Sequence, residues 1–190
     1  MSRLSTLAGL LAARDPVRTE ASDRPRAAVA VVLAPNPDSI LLIRRAEREG
    51  DRWSGQLGFP GGRWSAGDPD LLVTATRETR EEVGLDLSVD ALIGTLDDLA
   101  PSTAVLPPIL VRPFVFSRRS QESLILNAEV ALAWWQPLEP LLQPEALQPV
   151  ELGRHGTLVR TMGYHLEQGV LWGMSERILR PMLGMLASIH

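Results

Sequence analysis

Glu78, Glu81 and Glu82 lie three and four residues apart in the run Arg77-Glu78-Thr79-Arg80-Glu81-Glu82-Val83-Gly84-Leu85. On a helical wheel of about 100° per residue with Glu78 at zero, Glu81 falls at about 300° and Glu82 at about 40°. Leu72, Thr76, Thr79 and Val83 fall between about 100° and about 160°. Three carboxylates therefore share one helix face, beside the face that turns to the core. Such neighbours repel by a few tenths of a kcal/mol per pair. A divalent cation removes that cost, because hard oxygen ligands on a rigid face suit Mg²⁺ or Mn²⁺. The competing explanation is a solvated acidic face offset by Arg77 and Arg80. The surroundings favour the metal: Gly61-Gly62 and a long loop stand just upstream. The five fixed positions Arg, Glu, Glu, Glu and Gly recur by chance at roughly one start in a million.

This pattern resembles the signature of the Nudix hydrolases, in which Gly, five residues, Glu and seven residues precede Arg-Glu-apolar-any-Glu-Glu-any-Gly-apolar. The match at 77–85 includes every fixed residue. Thr79 stands in an aliphatic position, and its methyl still faces the core. Upstream, Pro69 stands where the family has Glu and Arg63 where it has Gly, so the loop is one residue longer than the norm. Asp68 or Asp70 is the candidate replacement for that Glu. The resemblance implies metal-dependent cleavage of a pyrophosphate joined to another moiety. It also implies Glu78, Glu81 and Glu82 as metal ligands, with the carbonyl of Gly62 as a further one. Arg77 pairs with a helix carboxylate and orients it. The cofactor implied is Mg²⁺ or Mn²⁺.

Further upstream, Leu41-Leu42-Ile43-Arg44-Arg45-Ala46 and Gly55-Gln56-Leu57-Gly58-Phe59-Pro60-Gly61-Gly62 resemble the extra signature of the coenzyme A pyrophosphatase branch. Asn127-Ala128-Glu129-Val130 with Trp134-Trp135-Gln136-Pro137-Leu138 is similar to another segment of that branch. The resemblance spans about residues 26–138. It implies a coenzyme A-like substrate cut to 4′-phosphopantetheine and adenosine 3′,5′-bisphosphate.

The candidate substrate-binding set is Arg44, Arg45, Arg52, Gly55, Phe59, Gly61 and Arg63. The arginine forks among them, with Arg48, suit phosphates. Phe59 either packs on substrate or plugs the core. Trp53 and Trp64 are stacking candidates, and Trp134-Trp135 should split into one core and one surface residue by strand alternation. Glu129 is either a catalytic carboxylate or an exposed strand-end acid, and Glu81 or Glu82 is an equal candidate for the base. His155 and His165 read as structural or surface groups. Two other functions compete: a Nudix hydrolase for ADP-ribose, NADH or a nucleoside triphosphate, and a non-catalytic nucleotide-sensing module. Retention of all three helix carboxylates argues against the module.

The rest of the chain sets bounds. All 19 basic side chains are Arg and there is no Cys among 190 residues, which excludes a disulfide scaffold, a Cys-ligated metal and a thiolate nucleophile. Most of the Arg bias reads as genomic habit. A net charge of −4 argues against coating nucleic acid. Leu4, Leu7, Leu10 and Leu11 fall at helical spacing, so the N-terminus reads as a short amphipathic helix rather than a signal peptide. No stretch has the roughly 20 apolar residues of a membrane span, and the expected location is cytoplasmic.

The elements that must hold these residues form one domain over 1–190, with 1–25 an N-terminal helix and link and 175–188 a C-terminal helix. Strands are expected at 27–33 and 39–45, joined by a turn at 35–38. Residues 46–68 read as a long functional loop. Asp68-Pro69 reads as the start of the helix that ends near Val83-Gly84. Further strands are expected at 89–96, 109–117, 128–135, 157–160 and 169–173, a Pro-bounded loop at 101–108, and a short helix or irregular excursion at 137–148. The expected class is mixed α/β (α+β), a Nudix-type α/β/α sandwich with a mixed sheet. The final helix carries a stripe of Ile178, Met182, Met185, Leu186 and Ile189, either core or a dimer contact, so monomer and homodimer both remain.

Overall fold

The structure is a computed structural model and describes residues 3–20, 24–51, 53–101, 108–154 and 157–188. Helix α1 spans Arg3–Ala12 and buries Leu4, Leu7 and Leu11. Leu10 is left 38% exposed, so the stripe is narrower than the four leucines suggested. Strand β1 (Arg26–Ala34) is an apolar run flanked on both faces. It is followed by β2 (Ser39–Arg45), β3 (Leu57–Gly58) and β4 (Gly61–Arg63). Helix α2 covers Leu71–Val83 and is followed by β5 (Leu92–Thr95), β6 (Leu110–Ser117) and β7 (Val130–Pro137). The chain ends in β8 (Leu147–Arg154), β9 (Thr157–Leu166), β10 (Gly169–Trp172) and helix α3 (Met174–Ala187).

Seven strands make one mixed sheet along the path β3-β2-β1-β6-β5, with β4 added on β1 and β7 on β2. β1 and β6 run parallel in register from Arg26↔Leu110 to Leu33↔Ser117, and the remaining pairs are antiparallel. β8, β9 and β10 form a separate three-stranded antiparallel sheet. Alternation along β1 feeds two cores. Val31 and Leu33 join Leu7, Leu11, Ile178, Leu179 and Met182 on the α1 and α3 face, while Ala28, Ala30 and Val32 join Leu71, Ala75 and Val83 on the α2 face. This is the expected α/β/α sandwich with a mixed sheet.

Several details depart from expectation. Helix α2 begins at Leu71, not at Pro69, because the Asp70 carboxylate caps it by accepting from the Val73 N–H at 2.8 Å. Gly84 closes it at φ 71°, a left-handed conformation that glycine adopts without strain. The segment 46–68 holds two short strands rather than loop alone, and β8, to which no strand was assigned in advance, begins at the last two residues of the excursion expected at 137–148. The strand expected at 89–96 is a single 3₁₀ turn at 89–91 followed by β5. Trp134 and Trp135 do point to opposite faces, but both faces are covered: Trp134 packs on the α1/α3 core and Trp135 on the α2 core. Of the α3 stripe, Ile178, Met182 and Leu186 are buried in the chain's own core and Met185 packs against it, so those residues are not a free dimer face. Ile189 and His155 lie outside the described residues. Among the described residues no helix is long and apolar enough to cross a membrane.

Candidate active site

β1 pairs with β4 at Ala27–Val29 and with β2 only at Leu33–Ala34. The sheet is therefore splayed between those points, and Pro60 closes part of the gap by accepting from the Ala30 N–H at 2.8 Å. The Phe59-Pro60-Gly61-Gly62 segment can lie there because its glycines have no side chains. A Cβ on Gly61, whose φ is 148°, would collide with the Ala28 carbonyl and lie 2.6 Å from Val29 Cα. A Cβ on Gly62 would lie 2.5 and 2.6 Å from the two carboxylate oxygens of Glu78. The glycine pair thus brings main chain directly against helix α2.

Two α2 carboxylates face this main chain. Glu82 is 1% exposed. Its Oε2 accepts from the Gly61 N–H at 2.9 Å, and Arg45 Nη1 stands 3.7 Å from its Oε1. Burial is the dominant influence and lifts its pKa to about 7, reinforced by Glu78 and Glu129 and opposed by the Gly61 bond and Arg45. Glu78 is likewise pushed upward, first by burial, with Arg77 acting against the shift and Glu81 and Glu129 adding to it. Glu81 is different: it is exposed, and its Oε2 meets Arg77 Nη1 at 3.0 Å.

Arg77 is the hub of this acidic cluster. Asp68 receives it as a fork, Nε to Oδ1 at 2.9 Å and Nη2 to Oδ2 at 2.9 Å, and Nη2 also lies 2.9 Å from Glu78 Oε1. The Asp68 carboxylate is buried, takes a further bond from the Thr74 hydroxyl at 2.9 Å, and is held well below the usual carboxylate range chiefly by the Arg77 hydrogen bonds. Asp68, not Asp70, therefore holds Arg77, while Asp70 is spent on the helix cap. The sequence left these two acids as alternatives because a lengthened loop offers no register by which to choose.

A cavity of about 450 Å³ opens beside the carboxylates. Its charged and polar lining comes from Arg45, Asp51, Gln56, Arg63, Glu78, Glu82 and Glu129. Ser175 adds a hydroxyl, and the larger apolar residues are Phe59, Ile109, Val111, Trp172, Met174 and Ile178. Of the candidate residues, Gly61, Gly62, Arg45, Arg63, Phe59, Glu78, Glu82 and Glu129 meet here. Phe59 is 6% exposed, so it both plugs the core and lines the cavity. Arg44, Gly55 and Glu81 lie off this lining. Arg44 and Arg45 end β2, on which successive side chains face opposite ways, so Arg45 enters and Arg44 is exposed. Gly55 has φ 68° and serves a turn against Glu47. Arg52 lies outside the described residues. Trp53 reaches the cavity and carries the Arg63 guanidinium 5.7 Å from its ring centre. Trp64 does not: it stacks under Arg26 at 4.1 Å and donates to the Asp68 carbonyl.

Glu129 sits on the cavity margin, 3.1 Å from Arg48 Nη1, with its N–H bound to the Asn127 side chain at 2.8 Å. Arg45 also pairs with Asp51 at 3.1 Å. The Asp68–Arg77 fork and the Asp51–Arg45 pair span only nine and six residues, but they close across irregular chain that has no period to read, and the apolar wall from residues 172–178 reaches the site from far along the chain.

Hard oxygen donors on adjacent turns of a rigid helix, raised in pKa by burial and by one another, fit a divalent cation. The residues fitted for it are Glu78 and Glu82, with the main chain of Gly62 against Glu78. Among the described residues no three acidic side chains converge as a complete ligand set, so main-chain oxygen or water must supply the remaining ligands.

The family model described as NUDIX domain matches residues 24–154, and the chain belongs to the Nudix family. A protein of Salmonella heidelberg (strain SL476) described as "Uncharacterized Nudix hydrolase NudL" is 28% identical over 169 residues, covering 88% of this chain and 85% of its own. "Uncharacterized protein C14C4.10c" of Schizosaccharomyces pombe is 39% identical over 127 residues, covering 64% of this chain. The matched part is only 39% of that yeast protein's length. Among solved structures, a MutT/nudix family protein from Enterococcus faecalis covers 96% of this chain with a TM-score of 0.55 at 18% identity, over 68% of its own length. The NUDIX domain of Shewanella oneidensis NrtR, solved with ADP ribose, covers 72% of this chain and 86% of its own with a TM-score of 0.52 at 22% identity. These two show a shared fold.

Proposed function

We propose that this Nudix hydrolase cleaves the pyrophosphate of coenzyme A, and of related thioesters, with Mg²⁺ or Mn²⁺. The observation that carries the proposal is one cavity in which buried carboxylates, arginines and a long apolar wall adjoin. A pyrophosphate bearing a nucleotide on one side and a pantetheine arm on the other asks for that combination. The similarity of residues 41–62 and 127–138 to the coenzyme A branch supports it from the sequence side.

Glu78 and Glu82 would hold the ion, with Gly62 beside them. When bound, the ion supplies positive charge against the pyrophosphate oxygens. Asp68 fixes Arg77, and Arg77 in turn fixes Glu78, so the carboxylate does not have to be ordered on binding. Arg45 and Arg63 offer forked donors to phosphate oxygens. Glu129 faces the cavity and takes the proton from the attacking water as its oxygen bonds to phosphorus. The P–O bond of the anhydride then breaks, giving 4′-phosphopantetheine and adenosine 3′,5′-bisphosphate. The site lies at the cavity margin, as a base open to water requires.

The test is a comparison of kcat/KM for coenzyme A, dephospho-coenzyme A, ADP-ribose, NADH and dGTP with Mg²⁺. Coenzyme A should be the best of the five. A higher value for ADP-ribose or dGTP would overturn the proposed substrate while leaving the hydrolase chemistry in place.

A further inference from the structure

The acidic residues of the cavity come from two elements: Glu78 and Glu82 from α2, and Glu129 from the turn just before β7. No strand register relates them, because residues 118–129 are irregular chain and turn. Asn127 makes the connection. Its N–H donates to the Glu82 carbonyl at 3.2 Å, and two residues earlier the Ile125 N–H donates to the Val83 carbonyl at 2.9 Å. Both carbonyls belong to the last turn of α2, where the helix has no further N–H to offer them. Leu124 packs on the α2 core while Ile125 is exposed, so the segment lies across the helix end with one side chain inward. Gly84 admits it there: a Cβ on that glycine would stand 3.0 Å from Ile125 Cβ.

From this anchor Asn127 builds the turn that carries Glu129. Its Oδ1 accepts from the Glu129 N–H at 2.8 Å, and its carbonyl accepts from the Val130 N–H at 3.3 Å. A side-chain oxygen bound to the N–H two residues on is an Asx turn, which Asn and Asp make well and Ser makes more weakly. The Glu129 carbonyl is held from its other side by the Ala46 N–H at 2.8 Å. Ala46 follows Arg45, whose guanidinium stands beside Glu82. Asn127 therefore touches the main chain of both acidic residues. A turn that merely led into β7 would need its bond to Glu129 and not its bond to Glu82.

We propose that Asn127 is a positioning residue of the hydrolytic reaction: its N–H binds the main chain of Glu82, its side chain binds that of Glu129, and the Glu129 carboxylate is thereby set in place relative to Glu78 and Glu82. This rests on the role of Glu129 as base stated above, but not on the identity of the substrate.

The experiment is a kinetic double-mutant cycle on Asn127→Ala and Glu129→Gln, with calorimetric titration of Mn²⁺ alongside. Asn127→Ala should lower kcat roughly 10- to 100-fold, the scale of a displaced catalytic group, with KM nearly unchanged. In the Glu129→Gln background the same change should cost less than about twofold, because a residue that acts through Glu129 has nothing left to position. Mn²⁺ affinity should stay within about twofold, since the N–H on the Glu82 carbonyl belongs to the main chain and survives the truncation. Asn127→Asp or Asn127→Ser, which keep an acceptor for the Glu129 N–H, should return kcat to within about threefold of wild type. If Asn127→Ala does not fold, Asn127→Gly carries the same cycle, since glycine accepts any turn conformation.

Wild-type kcat in the truncated variant overturns the proposal. So does an equal fold-loss in both backgrounds, which a merely structural role would give, and so does failure of both the Asp and Ser variants to recover. A weakened Mn²⁺ site would place the action of Asn127 on α2 instead and likewise overturns it. Wild-type kcat in Glu129→Gln removes the base and its positioning residue together, while the proposed substrate stands. If coenzyme A stays intact while ADP-ribose is cleaved, the substrate proposal fails, and the cycle run on ADP-ribose decides the role of Asn127 by the same coupling.

Discussion

Gly62 and Glu78 share one volume: a Cβ on the glycine would lie 2.5 Å from Glu78 Oε2. The helix carboxylate therefore rests on bare main chain of β4, and its position is set by the absence of a side chain six residues before Asp68 and sixteen before itself.

Gly62→Ala should displace Glu78 rather than unfold the chain, since a carboxylate can swing where backbone cannot. We expect kcat/KM to fall by roughly 100-fold, the scale of an ångström-sized misplacement, with far-ultraviolet dichroism unchanged. Full activity in the alanine variant would show that Glu78 does not need to sit against β4.

Glu82 gives the ion-free protein an unusual pH dependence. Its folded pKa of about 7 lies above the ordinary carboxylate value of 4.5. The folded state thus keeps a proton that the unfolded chain releases, and stability falls as pH rises from about 4.5 to about 7. The contribution is at most about 3 kcal/mol. Divalent metal needs the ionised form, so its affinity should climb over the same interval. Glu82→Gln should flatten the fall in Tm with pH in EDTA and abolish metal-dependent turnover. An unchanged pH profile in the variant would assign the buried proton elsewhere.

Asp68 behaves in the opposite sense. Its depressed pKa means that the stability it contributes is present above the ordinary aspartate value near 3.8 and is lost as pH falls below it. Asp68→Asn breaks a buried fork and leaves Arg77 to Glu78 and Glu81. A loss of about 2–4 kcal/mol in urea unfolding is expected, with a fall in kcat as Glu78 loses its fixed partner. Wild-type kcat in a destabilised variant would make Asp68 purely structural.

The parts legible in the sequence were those set by local pattern. The carboxylate spacing on α2, the apolar runs of β1 and β2 and the Gly84 stop each depend on residues within one element. The misjudged parts depend on irregular chain without a period or on partners far along the chain. Asp70 and Asp68 divide capping and Arg77 binding according to where α2 starts, which a two-residue ambiguity hid. β3 and β4 are too short and glycine-rich to show a period of two. One of Trp134 and Trp135 reads as a surface residue until both faces of β7 are known to be covered. The apolar wall at Trp172, Met174 and Ile178 is indistinguishable from core residues until the cavity beside it is seen.

The most direct test of the central claim is product analysis of coenzyme A incubated with the pure chain. With Mg²⁺ or Mn²⁺, equal amounts of 4′-phosphopantetheine and adenosine 3′,5′-bisphosphate should appear. EDTA and Glu82→Gln should each reduce the yield to background. Intact coenzyme A under conditions where the same sample hydrolyses ADP-ribose would contradict the account.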